Sequence, residues 1–304
     1  MVFQDILNRK YKKLVPEFNK LLEGCYSNQT HPGDLLLIHQ NGFYNPDVYN
    51  WNNIPEKLSP YCMGPGCEVH SEDTHYKFIA KYVNGNISEL SSRQYLKSVE
   101  FNPENVKELE KLNDIESYSI QIEMLIYLKI WESDIFIKSF YQLGRILFSE
   151  PYDWHFKIKE KPNDTTATGS RGDIIRNAIR DRFKSFSPKL YNSFNAVYKS
   201  QVRNAIAHSQ YIILGRTITL NNYKKGSRYD NIPSISFDKW IDIFHETIVL
   251  HSLYNKLLSK VLNIYEQIAL QTNNLYEIRI NREDPIISTE YRDIEYDPIF
   301  KYWR

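Results

Sequence analysis

The stretch YKSQVRNAIAHSQYIILGRTITLNN, residues 198–222, holds three polar side chains among alanines and isoleucines. They are Arg203, Asn204 and His208. Histidine exchanges protons near neutral pH and serves as a general base or acid. Arginine presents a charged fork that matches phosphate oxygens, and asparagine can orient an imidazole or hold a phosphate oxygen. Together these three residue types indicate chemistry on a phosphodiester. The alternative is that they simply form the solvated face of a helix.

A helix is predicted at these residues, and its geometry limits which side chains can meet. Ser200, Asn204 and His208 lie at i, i+4 and i+8, so they share one face of the predicted helix. Arg203 and His208 lie about 140° apart around an ideal helix. They converge only if the long arginine side chain reaches around the helix, or if a second copy of the helix contributes.

The pattern R-N-x-x-x-H formed by Arg203, Asn204 and His208 resembles the motif of the HEPN superfamily. The resemblance covers about 116–270, and the order of a long helix, a loop, the motif helix, a hairpin and a long last helix is similar to that of bacterial defence-associated members. It implies a dimeric helical endoribonuclease that acts as a toxin or an antiviral effector. The N-terminal residues, to about 110, lie outside the resemblance.

Metal-independent RNA cleavage suits these residue types, because the RNA supplies its own 2′-OH nucleophile. The 2′-OH loses a proton, the 5′-oxygen gains one, and the charge on phosphorus needs stabilisation. The expected products are a 2′,3′-cyclic phosphate and a 5′-OH, and no cofactor is expected. One motif carries one histidine while two protons move, which favours a homodimer with two facing motifs. The resemblance implies the same dimer.

An acidic residue on an earlier helix often lies near the arginine and histidine in HEPN nucleases. The segment WESDIF makes Glu132 the first choice for this residue, and Glu123 is the second. The alternative is that these carboxylates are exposed charges or charges at a helix end.

Basic residues that could follow an RNA backbone occur in SRGDIIRNAIRDRFKSF and beside the motif. Arg176 and Arg180 are four residues apart and are expected to share a helix face. The alternative is a solvated basic face that pairs with Asp173 and Asp181. The residues predicted to bind RNA are Arg171, Arg176, Arg180 and Lys199.

The segment YCMGPGCEVHSEDTH contains four residues of the types that bind zinc. Their spacing is not that of known zinc folds, in which paired ligands are usually two to four residues apart. We therefore expect a polar loop with two unrelated thiols and no metal. A zinc site is the less favoured alternative. The four residues are Cys62, Cys67, His70 and His75.

Apolar spacing predicts a mainly α protein, with a HEPN-like helical bundle, one β-hairpin after the motif helix and an irregular, α-rich N-terminal region. The expected domains are 1–112, 113–272 and a C-terminal extension, 273–304. The predicted helices are 3–24, 116–148, 171–186, 189–208 and 237–271, and the predicted hairpin is YIIL-GR-TITL.

The chain has 304 residues, 38 basic and 37 acidic side chains, and three cysteines. Because these charges balance, the net charge does not indicate binding to nucleic acid, and any basic surface must be local. Few cysteines and the lack of a signal-peptide pattern favour a soluble, cytoplasmic protein with no membrane partner.

Two other functions fit the same sequence. One is a non-catalytic HEPN module that binds or scaffolds a partner. The other is the toxin half of a HEPN and nucleotidyltransferase pair, held by an antitoxin or another regulatory partner. That branch has a tyrosine two residues after the histidine, whereas Tyr211 follows His208 by three.

Overall fold

The computed structural model describes residues 1–50, 59–64, 72–161, 163–283 and 288–304. Helix accounts for 57% and strand for 13%, so the predicted mainly α class is confirmed. No helix among these residues is long and apolar enough to cross a membrane. The α-helices are α1 Gln4–Asn28, α2 Asp34–Gln40, α3 Glu72–Gly85, α4 Ser92–Ser98, α5 Val106–Trp131, α6 Asp134–Leu147, α7 Arg171–Asp173, α8 Phe183–Phe186, α9 Pro188–Val197, α10 Ser200–Ala207 and α11 Phe237–Gln271.

Among the residues that the structure describes, the strands form three small antiparallel sheets. In sheet order they are β1 with β2, then β3, β4 and β5, then β6, β7 and β8. A 3₁₀-helix spans Pro46–Asn50 and a π-helix spans Ile174–Arg180. The strands are β1 Phe43–Tyr44, β2 Tyr61–Cys62, β3 Tyr211–Leu214, β4 Thr217–Leu220, β5 Ser234–Ser236, β6 Leu275–Asn281, β7 Thr289–Asp297 and β8 Tyr302–Trp303.

The chain forms two compact units, each assembled from three segments. The first unit comprises Met1–Pro16, Ser71–Ser133 and Ser187–Leu253, and the second comprises Glu17–His70, Asp134–Phe186 and Tyr254–Arg304. The boundary predicted after residue 112 falls within α5, and the one after residue 272 follows the end of α11. The three predicted segments stay predictions.

The helix predicted over 116–148 is two helices. It breaks at Glu132 and Ser133, where α5 ends and α6 begins with Asp134 in its first turn. Serine and aspartate are favoured at helix N-termini because their side-chain oxygens accept hydrogen bonds from free N–H groups, and the negative charge of aspartate also suits the helix dipole. The apolar stripe continues through the break and hides it in the sequence.

The helix predicted over 189–208 also breaks in two, and the break decides how the motif is presented. Tyr198 and Lys199 adopt extended backbone, with φ −82°, ψ 110° and φ −126°, ψ 110°. The motif helix α10 is therefore only eight residues long. The predicted basic helix, 171–186, is likewise not one α-helix, since it consists of α7, the π-helix and α8.

The strands β3 and β4 pair antiparallel through the two-residue turn Gly215–Arg216. Gly215 has φ +54°, which glycine adopts without a steric penalty. The Arg216 guanidinium contacts the buried carboxylate of Glu116 on α5 and donates to Asp238 of α11 at 2.8 Å. This arginine therefore fixes the turn to two long helices of the first unit.

The first unit buries a histidine in its core. His245 of α11 is fully buried, and its Nε2 accepts the backbone N–H of Phe3 at 2.8 Å. The other ring nitrogen, Nδ1, must then carry the proton, and it lies 2.6 Å from the carbonyl oxygen of Ile241. Burial lowers the pKa of His245 from 6.5 to about 4, because the charged form would lose its hydration.

The buried neutral imidazole predicts that acid destabilises the protein. Between pH 6.5 and about 4 the unfolded chain binds a proton at His245 and the folded chain does not, so stability falls as the pH falls. We expect His245→Gln, which retains an acceptor for Phe3, to lower the pH slope of the unfolding free energy by up to about 1.4 kcal/mol per pH unit.

Urea unfolding of both proteins at several pH values between 4.5 and 7.5 measures the difference in slope. Burial also lowers the pKa values of His39 and His251 to about 4, but both residues remain in the variant. Their contributions therefore cancel. Equal slopes in the two proteins would contradict the neutral state of His245.

Candidate functional site

The short helix α10 carries the motif on its outer side. Val202, Ala205 and Ile206 are buried, and α10 packs against α5. Arg203 and Asn204 are half-buried on this helix. The apolar spacing of the motif segment therefore anchors α10, while the polar residues between remain within reach of solvent.

His208 ends the motif helix rather than lying within it. It is the C-cap residue, with φ −108° and ψ 14°, and its backbone N–H donates to the Asn204 carbonyl at 3.0 Å. Ser209 follows with φ +53° and turns the chain away from the helix. The His208 side chain is exposed, so the predicted face shared by Ser200, Asn204 and His208 does not continue as regular helix to the histidine.

The structure brings Arg203 to the predicted acidic residue Glu132. Arg203 Nη1 lies 2.8 Å from Glu132 Oε1, and the two side chains are 20% and 34% exposed. Glu132 is the C-cap of α5, where the chain breaks before α6. The break that the sequence concealed therefore positions the carboxylate beside the arginine of the motif.

The second acidic choice, Glu123, lies elsewhere in the first unit. It is fully buried and accepts hydrogen bonds from Trp240 Nε1 at 2.8 Å and from the Tyr82 hydroxyl at 3.2 Å. Burial raises the pKa of Glu123, whereas these hydrogen bonds oppose that rise. Glu123 is a core polar group, and Glu132 is the carboxylate that contacts the motif.

Glu132 holds the Arg203 guanidinium by one end. The contact uses Nη1, and Nη2 has no hydrogen-bond partner among the described residues. Over the same part of the chain, the Asn204 amide and the His208 ring have no hydrogen-bond partner either. The site thus combines one oriented cation with an amide and an imidazole that can accept a ligand.

A buried tyrosine that the sequence did not single out fixes the start of the motif helix. The Tyr127 hydroxyl donates to the Val197 carbonyl at 2.9 Å and accepts the Lys199 backbone N–H at 3.4 Å. Both partners belong to the break between α9 and α10, where regular helical hydrogen bonds are missing. Burial raises the pKa of Tyr127, which therefore stays protonated and able to donate.

Aromatic side chains pack around the same break. The Trp131 ring lies 5.2 Å from the ring of Tyr198 and 6.0 Å from that of Phe194, centroid to centroid. Trp131 immediately precedes Glu132, so the packing that fixes the indole also fixes the end of α5. In the sequence these aromatics follow ordinary apolar spacing, and nothing separates them from other core residues.

The basic residues predicted to bind RNA all have partners within their own unit. In the second unit, Arg171 contacts Asp134, Arg176 contacts Asp173 at 3.0 Å, and Arg180 contacts Asp181 at 2.7 Å. Asp173 and Asp181 are the two carboxylates that would pair with these arginines if the segment were a solvated basic face. Arg176 and Arg180 lie in a π-helix and not in the predicted α-helix. RNA binding by these residues stays a prediction.

Lys199 is the N-cap residue of α10, in the first unit. Its ammonium group donates to the Asn195 carbonyl of α9 at 2.6 Å. The side chain thus satisfies a carbonyl at the end of one helix and lies at the start of the next. An RNA contact of Lys199 also stays a prediction.

The possible zinc ligands are only partly described. Cys62 lies in β2 and His75 in α3, whereas Cys67 and His70 lie outside the described residues. Within the described ranges, no group of three or more histidine, cysteine or carboxylate side chains could hold a metal ion. The four-residue zinc site was the less favoured alternative, and it stays untested.

Comparison of the chain with protein-family models, with curated proteins and with solved structures finds no match. The function is therefore argued from the motif and the geometry of the site.

Replacing Tyr127 with phenylalanine should weaken the support of the motif helix. The variant leaves the buried Val197 carbonyl without its donor, and we expect a loss of about 1–2 kcal/mol in unfolding free energy. Chemical denaturation measures the loss, and Tyr223→Phe is the matched control because Tyr223 is 41% exposed. If both variants are equally stable, the hydroxyl does not support the break.

Proposed function

We propose that the protein is a metal-independent endoribonuclease of the HEPN type. The observation that carries the proposal is the ion pair of Arg203 with Glu132, next to a half-buried Asn204 and an exposed His208 on one short helix. The sequence pattern selected the arginine, asparagine and histidine by their resemblance to that family. Glu132, which contacts Arg203, is the first choice for the acidic residue that the same resemblance leads us to expect.

Each side chain has a distinct role in the proposed reaction. His208, exposed at the end of α10, takes a proton from the 2′-OH or gives one to the 5′-oxygen. Arg203 binds phosphate oxygens through its free Nη2 and stabilises the charge that develops on phosphorus. Glu132 positions the guanidinium by holding Nη1, and Asn204 orients the imidazole or a phosphate oxygen. The products are a 2′,3′-cyclic phosphate and a 5′-OH.

A second copy of the chain supplies the second proton-transfer group in this proposal. The helix α5 carries an exposed apolar stripe, in which Ile115 is 60%, Tyr118 70% and Leu125 47% exposed. The spacing of three and then seven residues keeps these side chains on one face. Large exposed apolar side chains in one row are typical of a protein–protein contact.

The stripe also points toward the candidate site. Leu125 and Glu132 are seven residues apart, about two helical turns, so they face the same side of α5. A molecule that covers the stripe therefore approaches the carboxylate that holds Arg203. A two-fold pairing of this face would bring two copies of His208 toward one RNA groove. We propose this homodimer as the active unit.

One observation favours a second function, a non-catalytic binding module. The ion pair of Arg203 with Glu132 joins α10 to the end of α5, and such a pair can serve structure alone. The module would keep the exposed stripe as a docking face and would cleave no RNA. Activity measurements on folded variants distinguish the two functions.

A cellular role as a toxin or antiviral effector, with an antitoxin or another regulatory partner, belongs to the same proposal. Its support is the resemblance of the motif to the HEPN superfamily.

His208→Ala should abolish RNA cleavage and leave the fold intact, because the side chain is exposed and no described residue hydrogen-bonds to its ring. Arg203→Lys should retain little of the wild-type activity, since an ammonium group cannot replace the planar guanidinium that Glu132 orients. Cleavage of a labelled single-stranded RNA, measured beside circular dichroism, tests both variants. Full activity of folded His208→Ala would exclude the proposed mechanism.

The same assay separates this mechanism from metal-dependent nucleases. Activity should survive EDTA, a DNA of the same sequence should stay intact, and the RNA fragments should carry cyclic-phosphate ends. Ser209→Ala is a suitable control, because it changes an exposed neighbour of His208 without removing a predicted catalytic group. Loss of activity in EDTA with recovery in magnesium would indicate another class of nuclease.

Leu125→Glu should dissociate the proposed dimer and reduce cleavage in parallel. A charge at this position would face the apolar stripe of the second copy, where it could not be hydrated. Leu90→Glu is the matched control, since Leu90 is 43% exposed and lies outside α5. Sedimentation velocity measures the oligomeric state of each variant. A monomeric wild type with full activity would contradict the homodimer.

A further inference from the structure

The segment that contains the motif helix carries a local excess of positive charge. Residues 188–233 include seven basic residues and one acidic residue, Asp230. Two of the seven, Arg203 and Arg216, contact carboxylates of α5 and α11. Three of the other five lie in the loop between β4 and β5, residues 221–233. This loop belongs to the first unit, as the motif helix does.

The three basic side chains of the loop are exposed and have no acidic partner. They are Lys224, Lys225 and Arg228, and none of them forms an ion pair with a residue that the structure describes. Asp230, the one acidic residue of the loop, is half-buried. The arginines of 171–180 that were predicted to bind RNA each contact an aspartate instead. The loop thus offers positive charge that no carboxylate of the described residues neutralises by direct contact.

Exposed aromatic rings alternate with these charges. Tyr223 is 41% and Tyr229 is 47% exposed, and the Arg228 guanidinium lies 5.3 Å from the centre of the Tyr229 ring. In proteins that bind single-stranded nucleic acid, aromatic rings stack on the bases while lysine and arginine contact the phosphates. The residue types of the loop therefore suit a flexible polyanion with accessible bases.

Hydrogen bonds within the loop give its backbone a defined course. The Lys224 N–H donates to the Asp230 carbonyl at 2.7 Å. The Ser227 hydroxyl oxygen accepts the N–H groups of Tyr229 at 3.3 Å and of Asp230 at 3.0 Å. Gly226 has φ +81°, which lets the chain reverse between the two arms of the loop. The basic side chains take no part in these bonds and remain available to a ligand.

A buried glutamine of the motif helix anchors both arms of the loop. Gln201 is fully buried, and its side chain accepts the Ile232 N–H at 2.9 Å and donates to the Ile232 carbonyl at 2.8 Å. The Asn222 side chain donates to the Gln201 carbonyl at 2.9 Å. The loop is therefore held on α10 itself, and its position follows that of the motif.

The first residue of the loop lies close to the end of the motif helix. The Asn221 N–H donates to the Gln210 carbonyl at 2.9 Å, and the Gln210 N–H donates to the Ala205 carbonyl at 2.7 Å. Gln210 follows His208 by two residues, and two residues span at most about 7 Å. The loop thus begins beside the end of α10 at which His208 is exposed.

The loop and Glu132 lie along opposite edges of the exposed side of α10. Gln201, which holds the loop, is three residues before Asn204 and shares its side of the helix. Arg203, which contacts Glu132, lies about 200° from Gln201 around the helix axis. A strand that crosses the exposed side of α10 would therefore meet Arg203 at one edge and the loop at the other.

We propose that the loop 221–233 binds the nucleotides of single-stranded RNA that lie next to the scissile phosphate. Lys224, Lys225 and Arg228 contact the phosphates, and Tyr223 stacks on a base. The inference rests on the proposed nuclease for the place of the scissile phosphate, at Arg203. The loop supplies the attraction for a polyanion that Arg203, paired with Glu132, provides only weakly.

The variant Lys224→Ala, Lys225→Ala, Arg228→Ala tests the phosphate contacts. Fluorescence anisotropy measures the binding of a short, labelled single-stranded 2′-O-methyl RNA, which lacks the nucleophile and stays intact, at several salt concentrations. We expect this triple variant to bind about tenfold more weakly or worse, and its log–log salt slope to be smaller by about 2, since each phosphate contact on a single strand contributes about 0.7. Wild-type affinity and slope in the triple variant would overturn the proposal.

A matched control removes the same charges elsewhere in the first unit. Lys81→Ala, Arg93→Ala, Lys97→Ala replaces two exposed lysines and one exposed arginine of α3 and α4. This variant should bind the probe as tightly as wild type. An equal loss of affinity in the two triple variants would show that the RNA responds to net charge alone, and the loop would not be a binding site.

Two substitutions at Tyr223 test the stacking contact. Tyr223→Phe keeps the ring and should bind the probe as wild type does, whereas Tyr223→Ala should bind about tenfold more weakly. Circular dichroism and chemical denaturation check that each variant is folded. Wild-type affinity in Tyr223→Ala would overturn the assignment of a single-stranded ligand, because the bases would then make no contact with the ring.

The binding assay separates this inference from the proposed nuclease, because the probe cannot be cleaved. A wild type that binds the probe through the loop and cleaves no RNA would overturn the nuclease and support the loop as an RNA-binding surface. A wild type that cleaves RNA, with equal binding and cleavage by the loop variant, would overturn the loop alone.

Discussion

The Tyr127 hydroxyl at the break between α9 and α10 is the interaction on which the candidate site depends. One oxygen donates to the last carbonyl of α9 and accepts the N–H of Lys199 at the start of α10. Without this bridge, the buried Val197 carbonyl and the partly buried Lys199 N–H would lose a partner, and α10 would lose one of the contacts that set its direction. The hydroxyl therefore couples α5 to the orientation of Arg203, one turn later.

The helical class, the hairpin residues and the long last helix could be predicted from the sequence, because apolar spacing and a glycine turn determine them locally. The two helix breaks could not, since the apolar stripe continues through both of them. At Lys199 the break depends on a hydroxyl that lies 72 residues away in the chain. A pattern of neighbouring residues contains no information on such a distant partner.

The site shows the same division between local and distant information. The motif pattern selected Arg203, Asn204 and His208 as candidates, and of the two candidate carboxylates Glu132, not Glu123, lies beside Arg203, at 2.8 Å. Tyr127 was missed because a tyrosine on a buried helix usually belongs to the core, as this one does by its burial. Its role depends on the hydroxyl group, and the partners of that group are not encoded in the spacing.

Glu132 sets a condition on how Arg203 can act. A free guanidinium offers five donors to a phosphate, whereas this one has already committed Nη1 to a carboxylate. The pair lowers the net charge of the site, so the site itself would attract an RNA substrate of the proposed nuclease only weakly over a distance, and binding there would depend on close contacts. The pair also restrains the Arg203 side chain, so less side-chain entropy would be lost if a phosphate bound at Nη2. Such an arrangement favours orientation of one scissile phosphate over non-specific affinity for a long polyanion.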